Sequence, residues 1–264
     1  MLKSQMNVRL KREAIKTSLA VFALMSFLLF SNQSTAQSEV IDLETFDKIV
    51  VSPHIEVIFK KGEKESVSVE SITVPMTKLN VIVKNNTLNI YLDGAKIAAD
   101  TKKENINGYE QKTSIYKGTV VRAIITYKEV NSLDLRGEER FVFESFINSK
   151  KLRLSIYGES QVYFDEVDIK SLLVSIYGES YLEIKQGKIE KQKFTAYGES
   201  KVNTMNVESK ETKLTAYGDG TFQINVSEKL KITSYGEATI NYSGSPTLNK
   251  GIVIGETKIT NVNF

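Results

Sequence analysis

The chain has 264 residues, with 35 Lys and Arg, 32 Asp and Glu, and no cysteine. A chain without cysteine has no disulfide, no thiolate nucleophile and no thiolate metal site. Residues 1–36 hold five basic residues and one acidic residue, which leaves 30 basic and 31 acidic residues in 37–264, a formal net charge of −1. That balance excludes the strongly basic character of nucleic-acid-binding proteins, so no nucleic-acid partner is expected.

The first 36 residues have the pattern of a secretory signal peptide. A basic stretch over residues 3–16 precedes an apolar run over residues 19–30, and small residues follow at Ser34 and Ala36. We predict cleavage between Ala36 and Gln37. The alternative is an uncleaved anchor, but this run of 12 residues falls short of the roughly 20 that span a bilayer. We therefore expect an exported chain (periplasm, outer surface or extracellular space) with no transmembrane span after cleavage. The absence of cysteine excludes a lipoprotein.

The segment that follows is less regular than the rest of the chain. Residues 37–45 form a polar leader, and residues 46–130 show strand-like alternation in irregular pieces. Asn85 and Asn86 separate two alternating runs, a spacing typical of a hairpin turn. Residues 94–118 are polar, rich in lysine and without clear periodicity, which indicates a surface loop that leaves the domain. We predict that 46–130 forms irregular N-terminal coils and capping structure.

A short phrase containing glycine recurs through residues 131–264. The spacings between successive copies are 21, 20, 20, 20, 18 and 19 residues. A fixed period near 20 indicates a repeat architecture in which each copy stacks on the next. A strand with a crossover helix needs roughly 30 residues and a propeller blade about 40 to 45, so neither fits. The glycines are Gly137, Gly158, Gly178, Gly198, Gly218, Gly236 and Gly255.

One copy, residues 151–170, shows the pattern of a coil of a parallel β-helix. Apolar residues alternate with polar ones, as in strands with one buried face, and the phrase Gly158-Glu159-Ser160 interrupts them. The pattern predicts about three short strands and three corners per coil, with equivalent strands pairing about 4.8 Å apart. The inward ladder is predicted to contain Ile156, Ile176, Ala196, Ala216 and Ser234.

Three segments in order resemble a known family. They are FDKIVVSPHIEVIFKKGEKESVSVE, LNVIVKNNTLNIYL and, after an insertion, VVRAIITYKEVNSLDLRGEERFVFE, followed by the glycine-containing coils. Over residues 45–260 the chain is similar to the bacterial putative auto-transporter adhesin head GIN domain family. The resemblance implies a right-handed single-stranded parallel β-helix over 46–264, export, and an adhesin or surface role. The usual corner of the family is closer to Ser-Gly-Ser-Gly, so the tyrosines and glutamates of Tyr-Gly-Glu-Ser are peculiar to this chain.

Two outward ladders lie next to the corner glycines. One interpretation is a platform that binds a glycan or another cell-surface component through exposed aromatic rings and hydroxyl groups. The other, which we favour, is that the rings stack on each other and stabilise the coils. The candidate ligand-binding residues are Tyr157, Tyr177, Tyr197, Tyr217 and Tyr235, with Ser155, Ser175, Thr195 and Thr215 beside them.

Acidic residues repeat at the corner itself, at Glu159, Glu179, Glu199 and Asp219. Stacked carboxylates could share Ca²⁺, which prefers several oxygen ligands. We favour solvated side chains that fan apart, and we expect no cofactor. A polysaccharide-acting hydrolase or lyase would use two of these carboxylates. An equivalent, exposed set gives no reason for split pKa values, so we expect no enzyme activity. His54, the only histidine, is predicted to be structural.

These expectations converge on an exported adhesin-like binding or structural module of the cell envelope. A purely structural envelope protein without a ligand is the remaining alternative. A homo-oligomer is also open, because the ends of a solenoid expose unpaired strands.

Overall fold

The computed structural model describes residues 39–106 and 109–263, and almost all of their regular structure is β-strand. The predicted signal peptide and its cleavage site at Ala36 and Gln37 lie outside the described residues. Within these ranges the one helical element is a single 3₁₀ turn, Met76–Lys78, and no helix is long and apolar enough to cross a bilayer.

Nine strands precede the regular coils. They are β1 (Glu39–Asp42), β2 (Lys48–Val51), β3 (Ile55–Lys61), β4 (Ser66–Ile72), β5 (Leu79–Lys84), β6 (Thr87–Leu92), β7 (Thr101–Ile106), β8 (Tyr109–Ser114) and β9 (Val121–Tyr127).

The regular coils alternate a long strand with a short one. They are β10 (Ser132–Gly137), β11 (Arg140–Phe143), β12 (Ile147–Gly158), β13 (Gln161–Phe164), β14 (Val167–Gly178), β15 (Tyr181–Ile184), β16 (Gly187–Tyr197), β17 (Lys201–Thr204), β18 (Val207–Tyr217), β19 (Thr221–Asn225), β20 (Lys229–Tyr235), β21 (Thr239–Ser243), β22 (Thr247–Ile254) and β23 (Lys258–Asn261).

These strands build two sheets, which we call the long-strand sheet (β22-β20-β18-β16-β14-β12-β10-β2-β6-β5) and the short-strand sheet (β1-β4-β9-β3-β11-β13-β15-β17-β19-β21-β23). From β10 and β11 onward every pairing is parallel and joins equivalent positions of successive coils. The predicted all-β parallel solenoid with coils of about 20 residues is therefore confirmed.

Each coil contains two strands rather than the predicted three. The expected third strand runs into the next long strand, as Val167–Gly178 does in β14. Lys170 and Ser171 both face outward between the buried Ile169 and Leu172, so the chain bends there. The coil-to-coil pairing continues on both sides of this bend, which is why the corner does not break the strand.

The recurring phrase is explained by the close approach of one corner to the next. Gly198 has φ = 107°, and a Cβ placed on it would lie 2.7 Å from the carbonyl oxygen of Gly178. Ser200, fully buried, donates from its Oγ to that same carbonyl over 3.1 Å, and Ser180 donates to the carbonyl of Gly158 over 2.9 Å. Glycine is thus required at this position because the backbone has positive φ and because a Cβ would collide with the preceding corner. The serine hydroxyl donates a hydrogen bond to the backbone carbonyl of that preceding corner.

The N-terminal strands cover one end of the solenoid. Strand β6 pairs with β2 and β9 pairs with β3, so both sheets continue beyond the first coil. The antiparallel strands β5, β4 and β1 then lie at the edges of the two sheets. Asn85 (φ 52°) and Asn86 (φ 57°) form the predicted hairpin turn, since asparagine tolerates left-handed backbone.

The segment predicted as a loop at 94–118 instead contains an antiparallel hairpin, formed by β7 and β8. This hairpin has no recognisable sequence pattern because the described side chains of its strands are mostly exposed on both faces. Tyr109, for example, is 75% exposed. A strand without a buried face carries no apolar alternation.

The interior is filled by stacked ladders that are mostly apolar, with several buried polar side chains in the middle coils. Phe59, Phe143 and Phe164 stack with ring centroids 4.1 and 4.3 Å apart. Gln192 and Thr204, further along, are buried polar side chains. The predicted inward ladder is buried throughout, in register, at Ile156, Ile176, Ala196, Ala216 and Ser234.

The corner geometry predicts unequal costs for two glycine substitutions. We expect Gly198→Ala to lower the free energy of unfolding by about 2 to 5 kcal/mol, because strain at positive φ adds to a backbone collision. Gly118 also has positive φ, but a Cβ there would meet nothing within 4 Å, so Gly118→Ala should cost about 1 kcal/mol. Chemical denaturation measures both; equal losses would contradict the requirement for close approach.

The buried hydroxyl of Thr204 predicts a stabilising substitution. Its Oγ1 has no hydrogen-bond partner and the residue is fully buried. Thr204→Val keeps the shape and removes the unpaired group, so it should raise the free energy of unfolding by about 1 kcal/mol. Thr215→Val, on the outward face, is the control and should change it by less than about 0.5 kcal/mol. Destabilisation by Thr204→Val in urea unfolding would show that the hydroxyl is satisfied.

Candidate functional site

The five candidate tyrosines form a continuous stack on the outer surface of the long-strand sheet. Successive ring centroids are 4.9, 5.0, 4.8 and 5.1 Å apart, and the ring planes differ by 2° to 7°. We call this stack, made of Tyr157, Tyr177, Tyr197, Tyr217 and Tyr235, the tyrosine lane. The three middle residues are 38% to 40% exposed. Because each ring covers the next, the lane presents ring edges and phenol hydroxyls to solvent, and not ring faces.

Both ends of the tyrosine lane are occupied by other side chains. The guanidinium carbon of Arg136 lies 5.2 Å from the ring centroid of Tyr157. Arg136 in turn donates to both carboxylate oxygens of Asp134, over 2.6 and 3.2 Å, and this hydrogen bonding raises the pKa of the arginine. At the other end Ile254 follows Tyr235 in register. A planar ligand therefore finds no free ring face at the first position of the stack.

The hydroxyl residues stand one outward position further from the corner. Ser155, Ser175, Thr195 and Thr215 pair with one another in register and are half-buried. We call them, together with Thr233, the hydroxyl lane. Two residues along a strand place this lane about 7 Å from the tyrosine lane. The structure thus brings all nine predicted ligand-binding residues onto one face, with two parallel rows of hydroxyl groups that run through five successive coils.

The tyrosine lane lies between the hydroxyl lane and the corner carboxylates. Glu159, Glu179, Glu199 and Asp219 are all exposed. Within residues 39–106 and 109–263, no three His, Asp or Glu side chains come together as possible metal ligands. The four carboxylates are displayed one above another at successive corners.

A cleft near the first corner was not anticipated from the sequence. It has a volume of about 720 Å³ and lies between residues 97–99 and 114–119 of the excursion and the corner at Gly137. His54 borders it with φ = 71°, its Nδ1 2.8 Å from the carbonyl oxygen of Gly118 and its ring 5.7 Å from that of Tyr116. These contacts hold the stem of the excursion against the first coil, which agrees with a structural histidine.

Glu139 is buried beside this cleft. It occupies the place that Ser160 and its equivalents take in later coils, and its side chain is 4% exposed. Its Oε2 accepts a hydrogen bond from the backbone N–H of Glu138 over 3.0 Å, and its Oε1 lies 4.0 Å from His54 Nδ1. Burial raises the pKa of this carboxyl group, outweighing the hydrogen bonds and His54. The signal in the sequence is Gly-Glu-Glu where the next three corners have Gly-Glu-Ser.

The buried carboxyl predicts a pH dependence of stability. Because its folded pKa lies above the ordinary value of 4.5, the folded state binds the proton more tightly than the unfolded state. The stabilising contribution of this group is complete below the ordinary pKa and is lost as the pH rises through the raised one. Glu139→Gln should remove this loss of unfolding free energy as the pH rises above the ordinary value of 4.5, whereas Glu138→Gln, an exposed neighbour, should not. Equal slopes in all three proteins would contradict the assignment.

A family comparison matches most of the chain. Residues 45–246 match the family described as "Putative auto-transporter adhesin, head GIN domain". A comparison with curated proteins found no match.

Several solved structures share the fold at low sequence identity. A putative adhesin from Bacteroides fragilis has a TM-score of 0.71 at 17% identity, covering 85% of this chain and 96% of its own. A putative adhesin from Parabacteroides merdae has a TM-score of 0.58 at 16% identity, covering 86% and 95%. A protein named a putative lipid binding protein, from Parabacteroides distasonis, has a TM-score of 0.59 at 16% identity, covering 86% and 98%. Identities in this range show the common fold alone.

Proposed function

Because this chain belongs to the "Putative auto-transporter adhesin, head GIN domain" family, we propose that it is an exported adhesin-like module of the cell envelope or surface. Its role in this proposal is to bind, and not to catalyse. The ligand is an extended glycan that lies along the tyrosine lane and the hydroxyl lane.

The observation that carries this proposal is the regular, rigid display of hydroxyl groups on one face. Stacking holds successive phenol groups about 5 Å apart, with nearly parallel rings. A row that is already ordered loses little conformational entropy when a ligand binds. A glycan that repeats its own hydroxyls can then meet several coils at once. Contact is made with ring edges and hydroxyls, since the ring faces are occupied by one another.

The enzyme alternative would place catalysis on the corner carboxylates. A glycosidase needs two carboxyl groups in different environments, one protonated and one ionised. Glu179 and Glu199 occupy equivalent exposed positions, which favours a solvated corner. The alternative predicts that the purified protein releases products from polysaccharides, and that Glu179→Gln or Glu199→Gln abolishes the release.

The related protein that is named for lipid binding suggests a second kind of ligand. In this chain the inward ladders of the coils are packed with side chains such as Phe143 and Phe164. A lipid would therefore contact the outer surface through its head group. We favour the glycan because the outer face repeats hydroxyl groups rather than apolar side chains.

The proposal predicts the effect of removing two phenol hydroxyls without removing the stack. Tyr177→Phe combined with Tyr197→Phe keeps both rings, so folding should be unchanged. Loss of two hydrogen bonds should weaken glycan binding about tenfold. The measurement is a glycan-array screen with the purified protein, followed by titration of the best hit.

Tyr163→Phe is the matched control, because Tyr163 lies on the short-strand sheet and bonds to Gln161 there. It should leave glycan binding unchanged. Binding that survives both Tyr177→Phe with Tyr197→Phe and Tyr177→Ala with Tyr197→Ala would refute the role of the lane. Absence of any glycan hit, with or without calcium, would favour a structural role or a protein partner.

A further inference from the structure

A column of cations stands beside the hydroxyl lane, one outward position further from the corner. We call it the basic column; it consists of Arg153, Lys193, Lys213 and Lys231, with Leu173 between the first two. These positions pair in register from coil to coil, and all four cations are exposed. Among the described residues, none of the four forms an ion pair within the chain.

Like charges stacked at the spacing of strands repel one another. The corner carboxylates bear that cost as well, but two other outward positions of this solenoid avoid it by alternating charges between coils. Lys188 pairs with Glu208 over 3.3 Å, and Lys185 pairs with Asp165 over 2.6 Å. The basic column departs from this arrangement, since no carboxylate alternates with its cations. Anions from a ligand would supply the missing partners.

A second row of charges lies at the bend of the long strands, next to the basic column. Lys151, Lys191 and Lys229 occupy it, with Glu211 as its one carboxylate. Glu211 lies 3.6 Å from Lys191 and 3.1 Å from Lys229, so it is shared between two cations. The two rows together present seven cations against this single carboxylate.

The two rows border a groove with a volume of about 450 Å³. Lys193, Lys213 and Lys231 line one wall, and Lys191 and Lys229 line the other. The corner carboxylates lie beyond the hydroxyl and tyrosine lanes, on the far side of the same face. A ligand with anionic groups is thus attracted to the groove and repelled from the corner, which fixes how it lies across the sheet.

We propose that the glycan bound on this face is an acidic polysaccharide, whose anionic groups sit on the basic column while its hydroxyl-bearing rings lie on the hydroxyl and tyrosine lanes. This inference rests on the proposed function and adds the chemical class of the ligand. The basic column contributes one cation per coil, except at Leu173, and each cation can pair with one anionic group of the ligand.

The test compares polygalacturonate with its fully methyl-esterified form, which has the same backbone without charge. The purified protein should bind polygalacturonate more tightly, and binding should weaken as NaCl rises from about 50 to about 500 mM, because exposed ion pairs are screened. Lys193→Gln with Lys213→Gln and Lys231→Gln should weaken the binding about tenfold, as expected for three exposed charge contacts.

The control removes the same charge from the other sheet. Lys61→Gln with Lys201→Gln and Lys258→Gln changes three exposed lysines of the short-strand sheet and should leave affinity within about twofold of the unmodified protein. Equal loss in both triple variants would mean that net charge, and not the basic column, determines binding, and would overturn the inference.

The remaining outcomes separate this inference from the proposed function. Equal binding of the acidic and esterified polymers would overturn the inference and leave the glycan proposal standing. Binding of neutral array glycans with no acidic polymer bound would do the same. Failure of every glycan would overturn both. Binding to vesicles of phosphatidylglycerol but not to polygalacturonate would overturn the inference in favour of an anionic lipid surface.

Discussion

The coil-to-coil hydrogen-bond ladder, held in strict register at the glycine corners, is the constraint on which every other feature depends. Equivalent residues stack only because each corner approaches the one before it as closely as glycine allows. The register survives a change in coil length. Lys201 and Glu211 are ten residues apart, whereas Thr221 and Lys229 are eight, yet Thr215 still pairs with Thr233 and Tyr217 with Tyr235. The two residues are lost before strand β20 begins, so the tyrosine and hydroxyl lanes continue without interruption.

The parts of the fold that follow from period-two alternation could be predicted from the sequence. The inward ladder from Ile156 to Ser234, the outward parity of the tyrosines and the turn at Asn85 all depend on local pattern, and a buried face repeats its signal in every coil. The bend at Lys170 could not be predicted in this way. Two successive outward-facing residues give the same sequence pattern whether the strand ends there or bends and continues.

The cleft at the first corner depends on contacts between distant residues. The His54 ring contacts the backbone of Gly118, 64 positions later in the chain, and the Glu139 carboxylate lies close to the same ring. Such contacts leave no periodic trace in the chain. The orientation of the tyrosine rings was equally out of reach, because parity places a side chain on a face but does not set its rotamer. Ring edges and ring faces offer a ligand different chemistry, so this detail altered the mode of contact that we propose.

Because successive coils are equivalent, the outer face repeats the same set of side chains once per coil. Each of the five coils from Tyr157 to Tyr235 contributes one phenol, one alkyl hydroxyl and, except at Leu173, one cation, about 4.8 Å beyond the coil before it. A duplication of an internal segment of about 20 residues would lengthen this face by one coil without requiring a new core, since each coil packs only against its neighbours. The length of such a protein can therefore change with little effect on its fold, and the number of repeats sets the length of the outer face.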